Sequence, residues 1–271
     1  MSRIEACFRK LAARKRKALV PYITAGDPQP DVTVPLLHAL VEAGADLLEV
    51  GVPFSDPMAD GPVIQAACER ALKHHVSLHD VLDMIREFRT RDQTTPVILM
   101  GYLNPVEIWG YEEFGRSAAA AGVDGLLTVD MPPEEATELT AALQRQGVDA
   151  IFLLAPTTSE ERMQAVSRSA SGFLYYVSFK GVTGANRLDV AAVADKLEMV
   201  RKHTDLPVGV GFGIRDPESA AQVARIADAV VVGSALVGKV PELIDDPQAI
   251  PAALANTLAA MRQAIDQDTA G

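Results

Sequence analysis

The feature that most constrains the fold is a regular alternation along the whole chain. Short continuous runs rich in Val, Ile and Leu stand at 19–24, 47–52, 97–101, 125–129, 150–154, 173–178, 208–211 and 229–232. Runs of that length without polar alternation read as strands buried on both faces, as in a parallel sheet covered by helices. Between them lie stretches of helical periodicity at 31–43, 63–73, 111–121, 133–146, 160–169, 190–203 and 218–225, and a last helix is expected at 251–267. Eight strands, each followed by a helix, fit a (β/α)8 or TIM barrel. A doubly wound sheet is the rival, but it usually carries a Gly-rich turn after its first strand, where this chain reads "AGDPQPD". No linker-like stretch interrupts the pattern, so residues 1–271 are expected to form a single domain.

An internal echo supports the count. "EAGADLLEV", "AAGVDGLLTV" and "RQGVDAIFLL" each end a helix at Gly44, Gly122 or Gly147, place an Asp, and open a strand; "RIADAVVVG" is a looser copy. Glycine suits the left-handed position just past a helix. The repeated unit is one βα step, with no solenoid period behind it.

Composition narrows the function. The net charge of −11 argues against a nucleic-acid partner, which needs a basic face to neutralise phosphates. There is no apolar run of 18 residues, so no membrane span is expected. The first twenty residues lack a secretory apolar segment, and a cytoplasmic location is expected. Cys7 and Cys68 are too few for a disulfide framework or a zinc site and read as small apolar residues. The basic run through Arg9, Lys10 and Arg14 to Lys17 reads as the solvated face of a first amphipathic helix.

In a (β/α)8 barrel the chemistry sits at the C-terminal ends of the strands. None of the five histidines falls there. His75 and His79 share an i,i+4 spacing, but "KHHVSLHD" reads as a joint between helices, where polar side chains facing water account for them. Carboxylates take the role instead. In "DLLEVGV", Leu47, Glu49 and Gly51 face one way and Leu48 and Val50 the other. A Glu facing the barrel interior loses its hydration, so its pKa rises toward neutrality, where it suits proton transfer. A salt bridge inside the core is the other reading of Glu49. In the loop behind it, "GVPFSDPMADGP", Asp60 reads either as a second functional acid or as a cap for the helix that Pro62 opens, and Asp56 as a turn residue.

Small residues collect after the last three strands, in "SFKGVTGANR", "GVGFGIRDP" and "VVGSALVGK". The loops after strands seven and eight are where such barrels commonly hold a phosphate, using backbone N–H groups and a short helix N-terminus. Packing alone is the other reason for glycine there. "GVGFG" does not open a first βα turn and is no dinucleotide motif.

Four segments, "LVPYITAGDP", "LLEVGVPFSDPMADGPVIQ", "SFKGVTGA" and "GVGFGIRDPESA", closely resemble the tryptophan synthase alpha chain family, and the likeness runs from about residue 18 to the last helix. The resemblance implies a (β/α)8 barrel with an extra N-terminal helix beneath it. It implies retro-aldol cleavage of indole-3-glycerol phosphate to indole and glyceraldehyde 3-phosphate, in the last steps of L-tryptophan biosynthesis. By that likeness Glu49 is the general acid–base and Asp60 the acid that stabilises the indole ring as its nitrogen gains positive character. Tyr175 lies near the reacting centre, and Gly184, Gly213, Gly233 and Ser234 bind the phosphate. Thr183 belongs to a loop that closes over the site. No metal or cofactor is implied in this chain; pyridoxal phosphate belongs to a partner, the beta chain, in an α2β2 assembly. The loops after strands two and three are implied to face that partner, with Asp56, Pro57, Asn104 and Pro105 as contacts.

Tyr22 stands where this family commonly has an apolar aromatic, and Phe179-Lys180 where polar or small residues are frequent. Two rival readings follow from the residues. One is a Schiff-base aldolase using Lys180, disfavoured because that lysine stands on a Gly-rich loop rather than in a desolvated pocket. The other is a barrel that binds its ligand without chemistry, against which the Glu49–Asp60 pair stands.

Overall fold

The computed structural model describes residues 1–178, 190–211 and 213–269. It opens with α1 (Arg3–Ala13), β1 (Ala18–Thr24), α2 (Pro30–Glu42), β2 (Leu48–Gly51), α3 (Pro62–Leu72) and α4 (Leu78–Arg89). It continues through β3 (Val97–Gly101), α5 (Leu103–Trp109), α6 (Tyr111–Ala121), β4 (Gly125–Thr128), α7 (Thr137–Arg145) and β5 (Asp149–Leu154). Then come α8 (Glu160–Ser169), β6 (Leu174–Val177), α9 (Val190–Arg201), β7 (Val208–Gly211), α10 (Pro217–Ala224), β8 (Ala229–Val232), α11 (Ser234–Val237) and α12 (Ile250–Thr269). The eight strands are parallel and close in chain order, β8 pairing with β1. This is the (β/α)8 barrel that the alternation predicts.

Register stacks the inward side chains in layers of four taken from alternate strands. Leu47, Gly125, Phe173 and Ala229 form one layer above Ala18, followed by Val20, Ile98, Ile151 and Gly209. Above them come Glu49, Leu127, Tyr175 and Val231, and then Tyr22, Met100, Leu153 and Gly211. The side chains of β2 that face outward, Leu48 and Val50, pack with the surrounding helices instead. Helix α1 fills the lower opening: Ile4, Phe8 and Leu11 join the cluster of inward-facing residues. Gly125 makes room for it, since a Cβ there would lie 3.0 Å from Ile4 Cδ1.

The lower rim explains the echoed Asp. Asp46 accepts the Leu19 N–H at 2.9 Å and returns its own N–H to the Leu19 carbonyl. Asp124 does the same with Val97, and Asp228 with Val208. At the β5–β6 pair Ser171 supplies the identical two-bond bracket to Ala150. Each odd strand is thus tied to the next even strand where both enter the barrel. The carboxylates are then bound by cations: Asp46 by Arg262 and Arg16, Asp124 by Arg89 and Arg3, Asp228 by Arg201 and Lys17. The echoed Asp149 belongs to an odd strand, forms no such bracket, and leaves Oδ2 without a hydrogen-bond partner among the described residues.

Several expectations are corrected. The first helix ends at Ala13, so only Arg9 and Lys10 of the basic run lie on its face. Lys15 turns the chain with φ 51°, and Arg16 and Lys17 reach acidic groups of the barrel rim. The helix expected at 133–146 begins at Thr137: Glu135 and Ala136 donate to the carbonyls of Pro132 and Pro133, so 133–136 closes tight turns rather than α-helical ones. Helices α4, α5 and α11 go beyond the expected set; α4 carries a Ser77–Asp80 capping box. His75 sits in left-handed backbone outside the helix that holds His79, so their spacing is not helical. His79 is exposed, and its ring stacks on Trp109 with centroids 3.7 Å apart.

Replacing Asp124 by Ala strips buried Arg89 of its carboxylate and the Val97 amide of its acceptor. Removing one partner of a buried pair costs about 3–5 kcal/mol. The Asp124→Ala protein is expected to unfold at a correspondingly lower urea midpoint. A midpoint equal to the parent's would exclude the bracket as a determinant of stability.

Candidate active site

The upper end of the barrel opens into a cavity lined by Tyr22, Glu49, Asp60, Gly61, Ile64, Met100, Tyr175, Gly213, Ile214, Val231, Gly233 and Ser234. It gathers six residues singled out in the sequence, namely Glu49, Asp60, Tyr175, Gly213, Gly233 and Ser234. Thr183, Gly184 and Lys180 lie outside the described residues. Met100, Ile64 and Ile214 are not among the residues the sequence marks, and Tyr22 is marked there only as a departure from the family's usual apolar aromatic. Alternation along β1 from Ala18 through Val20 would have placed Tyr22 inside.

Glu49 has 1 % of its surface exposed, and neither carboxylate oxygen has a hydrogen-bond partner among the described residues. A core salt bridge is therefore absent among them. Burial, with a smaller contribution from the charge of Asp60, pushes Glu49 from the usual carboxylate value up to about 8. The group is thus protonated at neutral pH yet able to ionise, the condition for a side chain that first gives and then takes a proton.

Two phenols border Glu49, and glycines make their positions possible. A Cβ on Gly51 would lie 2.1 Å from the Tyr22 hydroxyl, and one on Gly211 would lie 2.0 Å from that of Tyr175. The Tyr22 hydroxyl is 3.3 Å from Thr24 Oγ1. Burial holds both phenols well above their usual pKa, so they stay neutral.

Asp60 enters from the loop between β2 and α3. The helix cap is Gly61, and the Asp60 side chain turns instead to Tyr102, whose hydroxyl donates to Oδ2 at 3.0 Å. Burial raises the Asp60 pKa and this hydrogen bond lowers it. The Gln65 side chain donates to the Asp60 carbonyl at 2.8 Å, closing the loop onto the first turn of α3. Ser55 donates to Asp56 at 2.5 Å, and Met58, on the crest of the same loop, is 80 % exposed. Asp56 is exposed and Pro57 half-buried; Asn104 is exposed and Pro105 half-buried on the first turn of α5. Trp109 at the end of α5 packs edge-on against Phe114 in addition to His79.

Across the cavity, Gly213 has φ +78°, a conformation that favours glycine. Gly233 is the N-cap of α11, whose first amides have no partner within the helix by construction. Among the described residues no group of three or more His, Cys, Asp or Glu is placed to hold a metal ion, and no helix is long and apolar enough to cross a membrane.

The raised Glu49 pKa has a stability consequence of definite sign. Below pH 4.5 the group is protonated folded or unfolded, and its titration costs nothing. Between 4.5 and about 8 the unfolded chain loses the proton while the folded one keeps it, so stability falls, at up to about 1.4 kcal/mol per pH unit. Above about 8 the loss is complete and constant. Glu49→Gln removes this cost, and urea unfolding is expected to show its advantage over the parent growing from pH 5 to pH 8. An advantage independent of pH would contradict a buried, partnerless carboxyl.

The family model described as tryptophan synthase alpha chain matches residues 8–266. The chain is 65% identical over 266 residues to the tryptophan synthase alpha chain of Thioalkalivibrio sulfidiphilus, covering 98% of this chain and 100% of the relative. It is 64% identical to that of Nitrosococcus oceani, with 98% of each covered. Among solved structures it superposes on tryptophan synthase subunit alpha from Legionella pneumophila with a TM-score of 0.92 and 49% identity, covering 98% of this chain and 99% of that one. A match of this extent, with the same barrel beneath it, places the chain in the tryptophan synthase alpha chain family.

Proposed function

We propose that Glu49 and Asp60 carry out the family's reaction, the cleavage of indole-3-glycerol phosphate, in this cavity. The observation that carries the reading is a carboxyl group held protonated at neutral pH in the same cavity as a second acid. Protonated Glu49 gives its proton to C3 of the indole, and positive charge develops at the ring nitrogen. The Asp60 carboxylate, facing the ring N–H, stabilises that charge. Glu49, now ionised, takes the proton from the hydroxyl on the glycerol carbon bonded to C3. The O–H electrons become the C=O of glyceraldehyde 3-phosphate, and the C–C pair returns to the ring, releasing indole. Glu49 ends protonated as it began.

Tyr175 borders the reacting atoms, and the phosphate lies against Gly213, Gly233 and Ser234 at the start of α11, with Gly184. Thr183 belongs to the covering loop. The whole chain acts as one domain, in the cytoplasm, and needs no cofactor of its own. The family implies a beta-chain partner. We assign its contacts to Asp56, Pro57, Asn104 and Pro105, in an α2β2 assembly whose beta chain holds the pyridoxal phosphate and receives the indole. The exposure of Met58 (80 %) and Ile108 (79 %) on the same two segments supports that face.

Glyceraldehyde 3-phosphate release from indole-3-glycerol phosphate tests the reading, with and without an added beta chain. Turnover is expected to rise when the beta chain is added. Glu49→Gln and Asp60→Asn are each expected to lower kcat by about 10²-fold or more. A Glu49→Gln protein as active as the parent would remove the acid–base assignment and favour a barrel that only binds.

A further inference from the structure

One side chain outside the lining of the cavity holds three residues of the loop that presents Asp60. Tyr102 follows β3, is the N-cap residue of α5, and is 5 % exposed. Its ring stacks on Phe54 with centroids 5.0 Å apart and planes inclined by 25°. Its hydroxyl accepts the Ala59 N–H at 2.9 Å and lies 3.0 Å from Asp60 Oδ2. The first of these bonds decides the second. With the Ala59 amide pointing at the phenol oxygen, the phenol proton is left to go to the carboxylate, so the pair is charge-assisted and directional.

Among the described residues Asp60 has little else to stabilise its charge. The titratable groups facing it there are Glu49 from β2, Tyr22 from β1, Cys68 from α3 and Tyr102 itself, and none of these is a cation. Burial favours the neutral acid, and the Tyr102 hydrogen bond is the interaction that opposes it. The Gln65 amide donates to the backbone carbonyls of Asp60 and Pro57 and not to the Asp60 carboxylate. The loop's inner end is therefore fixed by Gln65, while the direction of the carboxylate is fixed by Tyr102.

We propose that Tyr102 is the positioning residue of Asp60: its hydroxyl aims the carboxylate into the cavity, and its ring anchors the loop that carries it. The inference rests on the assignment of Asp60 to the developing positive charge of the indole ring. Without the phenol proton, Asp60 turns freely and spends more time protonated, and in that form it cannot face a cationic ring. Because that charge exists only as the reaction proceeds, the loss falls on kcat rather than on KM.

Tyr102→Phe keeps the ring stack and removes only the hydroxyl, so the protein is expected to fold with a thermal midpoint within a few degrees of the parent. Its kcat on indole-3-glycerol phosphate is expected to fall about tenfold or more, the size of one hydrogen bond to a charged group. KM should change far less, and the acidic limb of the kcat profile should move to higher pH. In an Asp60→Asn background the same substitution is expected to have no further effect. Tyr102→Leu, which also loses the stack on Phe54, should fall further than Tyr102→Phe. A Tyr102→Phe protein with parental kcat and pH profile, beside an inactive Asp60→Asn, would overturn the inference alone. So would a fall in kcat that persists undiminished in the Asp60→Asn background. An Asp60→Asn protein as active as the parent would instead overturn the assignment of Asp60.

Discussion

The arrangement rests on how the barrel is held shut at the end away from its cavity. A closed parallel sheet has no free edge, but its strands enter from loops, and their first amides need acceptors in a region short of water. Asp46, Asp124, Ser171 and Asp228 answer this with one device used four times, a two-bond bracket joining each odd strand to the next even one. Arginine and lysine neutralise the three carboxylates, so the brackets are polar yet satisfied. With that rim and the α1 plug in place, the opposite end can carry groups that are left unsatisfied.

Glu49 is the clearest of these. Its layer otherwise holds Leu127, Tyr175 and Val231, none of which can neutralise a carboxylate. Solvation is withheld, and the acid keeps its proton well past the range of an exposed glutamate. Gly51 and Gly211 serve the same end by geometry, yielding the space of a side chain to the hydroxyls of Tyr22 and Tyr175. The two ends of the barrel thus follow opposite rules: every polar atom of the brackets is paired below, and above stands a proton donor unpaired among the described residues.

Much of this could be read from the chain. Continuous apolar runs marked the strands because parallel strands covered by helices have no polar face. Two-residue alternation turned Glu49 inward beside Leu47 and Gly51. The echoed Asp was visible as a repeat, but its role was not, because the amide it accepts belongs to the preceding strand, 27 residues earlier for Asp46 and Asp124. Asp60 next to Gly61-Pro62 looks locally like a helix cap, and only the tertiary approach of Tyr102, 42 residues on, diverts it. Basic residues 14–17 look like more helix face until the chain turns at Lys15 and sends Arg16 and Lys17 to partners on other elements. What stayed hidden was in each case a contact between βα units, which spacing within one unit cannot carry.

Helix α5 supplies a last consequence. Trp109 is the only tryptophan in the 271 residues, and it lies between the His79 ring and the edge of Phe114 at the end of the helix that Tyr102 begins. Its fluorescence therefore has one origin. Emission excited at the red edge of the indole band reports on the surroundings of α5 and on nothing else in the protein, which makes this corner of the barrel optically addressable without any label.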